Sequence, residues 1–89
     1  MEKPIAVGTV VYSRAGRDEG SYYMIYEIVD SDYVLIVDGD TRRLAKPKKK
    51  NIKHLKNTGE VLEGIAKKIT ESTKIYDAEI FSALRKYNS

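Results

Sequence analysis

Residues 41–56 carry eight cationic side chains and no acid: Arg42, Arg43, Lys46, Lys48, Lys49, Lys50, Lys53 and Lys56. Side chains of this kind at this density neutralise phosphates and release counterions, which supplies most sequence-independent affinity for nucleic acid. Leu44, Ile52 and Leu55 interrupt the run, so it can lie along a folded surface and follow a groove of phosphates. The competing reading is a strand edge that lysines guard against aggregation, a task that needs fewer charges. A second constellation stands upstream, in the loop from Ser13 to Gly20. Arg14 and Arg17 flank Gly16, and Gly20 closes the loop. Arginine can fork a phosphate while glycine lets backbone come close to it. An ordinary hairpin loop with arginines in water is the alternative. Asp18 and Glu19 count against a pure phosphate site, unless one of them orients an arginine.

Other chemistries lack their residues. His54 is the only histidine, and no partners stand at metal-ligand spacing, so it reads as a strand-end residue or a hydrogen-bond donor to RNA. Asp38 and Asp40 form a turn, not a calcium loop. There is no Gly-x-x-x-x-Gly-Lys loop, no nucleophile elbow and no Cys–His pair. The expectation is no catalytic residue, no metal, no cofactor and no small-molecule substrate. Seven tyrosines and one phenylalanine invite base stacking. Tyr12, Tyr26 and Tyr33 sit in apolar runs and read as core. Tyr22 or Tyr23, beside the glycine loop, is the better stacking candidate.

The elements that must position these groups follow from the patterning. Val7 to Tyr12 reads as a first strand, in which Gly8 marks a bulge or a close backbone approach. Tyr22 to Val29 reads as a long second strand. Met24, Tyr26 and Ile28 point one way, and Tyr23, Ile25 and Glu27 the other. Both faces are largely apolar, which suits a strongly bent sheet or small barrel. Asp30-Ser31-Asp32 supplies side-chain acceptors for a tight turn, and Tyr33 to Val37 is a third strand. Asp38-Gly39 is a hairpin signal leading into a fourth strand at Thr41–Ala45, which Pro47 stops. Lys48-Lys49-Lys50 is expected as a solvated loop, with a short fifth strand through Ile52 and Leu55. From residue 57 the period becomes helical: Asn57 and Glu60 could open a first helix carrying Val61, Leu62, Ile65 and Ile69. Glu71 to Ile75 is a linker. Asp77 caps a second helix whose face is Ile80, Phe81, Leu84 and Tyr87, and Asn88 terminates it.

Eighty-nine residues make one small unit with a thin core. Cysteine is absent, so no disulfide or thiolate metal site can staple it. No apolar run approaches the roughly 20 residues of a membrane span, and Met1-Glu2-Lys3-Pro4 does not open a signal peptide. A cytoplasmic protein with no membrane partner is expected. The net charge of +3 hides a segregation. Residues 1–40 carry three cations against eight acids, residues 41–56 only cations, and residues 57–89 balance. One sharply basic block is a local footprint for a polyanion.

An ordered set of residues resembles the KOW-motif RNA-binding proteins. It comprises Val7-Gly8-x-Val10-Val11-Tyr12, Gly16-Arg17-x-x-Gly20, Ile25-x-x-Ile28-Val29-Asp30, Val34-Leu35-x-Val37-Asp38-Gly39, Arg42-Arg43 and Asn51-Ile52-x-His54-Leu55. It is similar to the branch that includes the archaeal and eukaryotic large-subunit ribosomal protein fourteen-e and its small bacterial relatives. Tyr23 stands about where elongation factors of the NusG kind have a second glycine. The resemblance implies a mostly β fold, an SH3-like barrel over residues 1–56, followed by two short helices in residues 57–89. It implies contact with ribosomal RNA, or another structured RNA of the translation machinery, with ribosomal proteins as further partners. Residues and resemblance together nominate Arg14, Gly16, Arg17, Gly20, Arg42, Arg43, Lys46, Lys48, Lys49, Lys50, Lys53, His54 and Lys56 as the RNA-binding set. The alternative is an SH3-like protein-interaction module that docks a partner on the face of Ile80, Phe81, Leu84 and Tyr87.

Overall fold

The computed structural model describes residues 5–17 and 19–88. Met1–Pro4, Asp18 of the glycine loop and Ser89 lie outside the described residues. Strands run over Thr9–Ser13 (β1), Tyr22–Ile28 (β2), Tyr33–Val37 (β3), Lys48–Asn51 (β4) and Leu55–Val61 (β5). One 3-10 turn, Ile52–His54, joins β4 to β5, and helices follow at Glu63–Thr70 (α1) and Asp77–Asn88 (α2). The sheet is antiparallel in the order β4-β3-β2-β1-β5, so β4 and β5 are its edges. Among the described residues no helix is long and apolar enough to cross a membrane.

The two apolar faces of β2 set this architecture. Met24 joins Val10 and Val37 under Ile65 of α1 and Ile80 and Leu84 of α2. Tyr23 and Ile25 face the other way, into a cluster with Val11, Val34, Ile36 and Leu55. A strand that is apolar on both sides must be covered on both. Here the helices cover one face, and on the other the sheet's own side chains pack together with Ile5 and Ile52. A register shift in β2 between Ile25 and Glu27 adds to the bend. The turns behave as their sequences direct. Oδ1 of Asp30 accepts the N–H groups of Asp32 and Tyr33, each at 2.8 Å, and these bonds, followed by a weaker pull from Lys49, hold its carboxyl below the usual value.

Four expectations are corrected. Thr41–Ala45 is not a strand. Asp38 Oδ1 takes the N–H groups of Asp40 and Arg42, and Asp77 Oδ1 takes that of Leu44, so the donors a ladder needs are already spent. The partner of β3 is instead Lys48–Asn51, the stretch expected as a solvated loop. Second, Ile52 belongs to the 3-10 turn, not to a strand; Asn51 caps that turn by accepting from Lys53 N–H. Third, Asn57 opens no helix. It pairs with Val11 inside β5, which runs on to Val61, and Thr58 donates its hydroxyl to the carbonyl of Val10 where the β1–β5 register shifts. β5 therefore crosses the expected boundary at residues 56/57. Fourth, Phe81 leaves the packed face of α2: it is 47% exposed, while Ile80 and Leu84 are buried.

The C-terminal end of α2 is fastened to the sheet, and its first residue to the β3–β4 loop. Asn88 accepts from the N–H of Tyr22 and donates to its carbonyl. Tyr87 donates its hydroxyl to Glu60, which pushes the phenol up to about 12, and its ring meets that of Tyr22. Asp77 is the first residue of α2 and its Oδ1 accepts the N–H of Leu44, while Glu79 accepts from Tyr76 N–H at 3.0 Å. A helix face committed to its own sheet in this way has only Phe81 left for a partner.

Gly8 and Gly39 are where the helices come down on the strand ends. A Cβ on Gly8 would stand 2.5 Å from that of Ala66 in α1, and one on Gly39 would collide with the carbonyl of Asp77 and the amide of Phe81 in α2. Gly39→Ala should therefore cost about 2 kcal/mol or more in urea unfolding, from a positive φ plus a backbone clash. Gly59→Ala, at a φ of +81° with open space around it, should cost only about 1 kcal/mol. Equal losses at the two positions would show that helix docking on Gly39 contributes nothing.

Candidate nucleic-acid interface

Hydrogen bonds tie the glycine loop to the basic block. Lys50 Nζ donates to the carbonyl of Ala15 at 3.0 Å, and the backbone N–H of Arg14 donates to the carbonyl of His54 at 2.8 Å. The loop itself is closed by Ser13 N–H to the Ser21 carbonyl and Gly20 N–H to the Ser13 carbonyl. The positions on β4 alternate in role. Lys48 and Lys50 pair with Ile36 and Val34 and share their face, while Lys49 pairs with Leu35 on the opposite face. Lys50 is only 9% exposed, its stem lying on the apolar cluster and its ammonium on the loop carbonyl. The expectation that the Lys48–Lys50 run cannot pack inside fails at Lys50. Nor does that lysine stand in water as a phosphate contact would. Were Gly16 to carry a Cβ, it would stand 3.2 Å from this ammonium.

Arg14, Lys53 and Lys56 line one cavity of about 270 Å³ together with Ile5, Ile52, Leu55 and Asn57. All three cations are exposed. Arg17, Gly16 and Gly20 are exposed along the neighbouring loop, and Lys48 is half-buried at the start of β4. Lys49 is exposed, with its ammonium 4.8 Å from the centroid of the Tyr33 ring. His54 is half-buried and contributes its carbonyl to the loop junction.

Arg42, Arg43 and Lys46 are placed differently. They sit in the loop between β3 and β4, where Arg43 Nε donates to the carbonyl of Asp40 and its side chain shares a concavity with Asp40, Asp77 and Phe81. The block that is continuous in sequence is thus divided between a part that meets the glycine loop around Arg14, Lys53 and Lys56 and a loop interleaved with carboxylates. Tyr23 is 3% exposed and Tyr22 packs between the rings of Tyr12 and Tyr87, so neither offers the free face that base stacking requires. Among the described residues, no group of three or more His, Cys, Asp and Glu side chains could hold a metal ion.

Sequence reasoning missed Ile5, Ile52 and Leu55 as the apolar floor between the cations. The available signal is the spacing Ile52-x-x-Leu55 inside a basic block, which a turn between two strand edges brings to one side.

No protein-family model matches the chain. It is 35% identical over 63 residues to the large ribosomal subunit protein eL14 of Pyrobaculum arsenaticum, and 32% identical over 71 residues to that of Methanococcus vannielii. It is 35% identical over 54 residues to the same protein of Desulfurococcus amylolyticus. These alignments cover 71, 80 and 61% of this chain and 61, 86 and 56% of the respective relatives. The matched part therefore spans about six tenths of the first relative's length and most of the second's.

The burial of Lys50 separates it from its neighbours. Lys50→Met leaves the Ala15 carbonyl without that ammonium and should lower stability by about 1–3 kcal/mol in urea unfolding. Lys49→Met removes only an exposed cation–π contact and should cost less than about 1 kcal/mol. Unchanged stability in Lys50→Met would mean that the ammonium contributes nothing to holding the loop.

Proposed function

Because the chain belongs to the eL14 family of large ribosomal subunit proteins, we propose that it is a non-enzymatic RNA-binding module of the translation machinery that contacts ribosomal RNA. The observation that carries this reading is the junction of the glycine loop with the basic edge. The bonds from Lys50 and Arg14 hold the glycine loop against the basic block, where Arg14, Lys53 and Lys56 line one cavity. In this reading Arg14, Arg17, Lys48, Lys49, Lys53 and Lys56 contact phosphates, and Gly16 and Gly20 let the RNA backbone approach. Lys50 and His54 hold the surface in shape, while Arg42, Arg43 and Lys46 make a separate, weaker contact. Backbone contacts of this kind position an RNA by its shape and charge.

The bent sheet is then an SH3-like barrel of the KOW kind that runs on past the expected boundary at residues 56/57 to Val61. The helices after Val61 form the extension that covers the Met24 face of β2. The protein works in the cytoplasm on the large subunit, beside other ribosomal proteins, without a cofactor or a small-molecule substrate. The protein-docking alternative is the weaker one, since Ile80, Leu84 and Tyr87 are already committed to the sheet.

Co-sedimentation with purified large subunits across a salt series tests the reading. Wild-type binding should fall steeply with salt. Lys49→Ala/Lys53→Ala/Lys56→Ala, which touches only exposed cations, should weaken binding and reduce the log–log salt slope by about 2–3. A triple variant with wild-type affinity and slope would remove these residues from the interface.

A further inference from the structure

We propose that the cavity bounded by Arg14, the 3-10 turn and the start of β5 receives one unpaired nucleotide of the bound RNA. This inference rests on the RNA-binding reading and adds to it a recognised feature. The cavity pairs two chemistries that a nucleotide also pairs. Ile5, Ile52 and Leu55 give it an apolar floor, and Arg14, Lys53 and Lys56 stand around it. Ile5 and Ile52 are half-buried parts of the cluster under the sheet, and Leu55 is 6% exposed, so the floor is fixed by the core. No carboxylate lines the cavity among the described residues.

Its size and walls favour a single planar group. At about 270 Å³ it falls just below the range of roughly 300–1,000 Å³ typical of drug-sized ligands. Bases inside an A-form helix are not available to such a cavity, whereas a base splayed from a loop or bulge is. Its apolar faces would rest on the isoleucines, the Arg14 guanidinium could lie along the ring, and the adjoining phosphates would meet Lys53 and Lys56. Arg14 is well placed for this because its own backbone is tied to His54, between two residues of the rim. Phosphate contacts alone carry no preference for unpaired over paired RNA; an apolar floor supplies one.

The test uses the full chain and two RNA stems that differ by a single bulged nucleotide, with 2-aminopurine as the bulged base. Wild type should bind the bulged stem about tenfold more tightly, at the lower end of the range for a base placed on a side-chain platform, and the fluorescence should change on binding. Ile5→Ser/Ile52→Ser should bring the bulged stem down to the affinity of the paired stem and leave the salt slope unchanged. Ile52→Trp, which fills the cavity without exposing a polar group to the core, should do the same, and circular dichroism should show both variants folded. Equal wild-type affinity for the two stems, with the usual steep salt dependence, would overturn the nucleotide cavity and leave the RNA-binding reading standing. Binding to neither stem nor to large subunits at low salt would overturn both. Tighter binding of an acidic aromatic peptide than of the bulged stem would overturn the nucleotide cavity in favour of a protein ligand.

Discussion

The double-sided burial of β2 is the constraint on which the rest depends. Its seven residues place Met24 against the helices and Tyr23 and Ile25 against the opposite cluster. A chain of this length has little apolar surface with which to satisfy such a demand. It does so by bending the sheet over one face and laying α1 and α2 across the other. The bend brings the edges β4 and β5 close enough for a single 3-10 turn to join them. It also carries the β1–β2 loop towards that turn. The cationic surface is thus a by-product of how the core is covered, and its geometry is as stable as the core beneath it.

Lys50 shows how far that dependence goes. A lysine in a strand paired with Val34 faces the cluster of Val34 and Ile36. Its stem can be buried there at little cost, but its ammonium needs an oxygen within reach. The Ala15 carbonyl supplies one, at the price of fixing the loop conformation. One lysine of the basic run therefore shapes the surface that the others present. Charge counting along the sequence treats all of them as equivalent, and the structure does not.

What the sequence made legible were features written in local chemistry. The three N-terminal strands, the Asp30 turn, the alternation of Tyr23, Met24 and Ile25 on β2, the close approach at Gly8 and the span of α2 were readable, whereas the register shift after Ile25 pairs Ile28 with Val34, on the side opposite to the one expected. What it hid were outcomes of competition between distant groups. Thr41–Ala45 has the composition of a return strand, but its donors are claimed by Asp38 and by Asp77, the latter 33 residues on from Leu44. Lys48–Lys50 has the composition of a loop, yet an unpaired β3 edge takes it as a partner. Asn57 and Glu60 carry a helix-start pattern, but β1 needs a neighbour, and β5 continues until Val61. For the candidate site, the meeting of the glycine loop with part of the basic block was legible. Which lysine is buried, and which apolar residues lie between the cations, follow from register, which composition does not set.

The acids of the N-terminal half fit the same argument. Residues 1–40 carry most of the negative charge, which taken alone would oppose a polyanion. Two of these acids are occupied with backbone. Asp30 accepts the N–H groups of Asp32 and Tyr33, and Asp38 those of Asp40 and Arg42 together with the Thr41 hydroxyl. A carboxylate held in this way is fixed at a turn, and Asp30 there still feels the pull of Lys49. Among the described residues, the cavity between Arg14 and Lys56 is lined by cations, apolar side chains and Asn57, with no carboxylate. The positive potential is therefore concentrated at that cavity and not spread along the whole basic run, and it is there that a polyanion would displace counterions most readily.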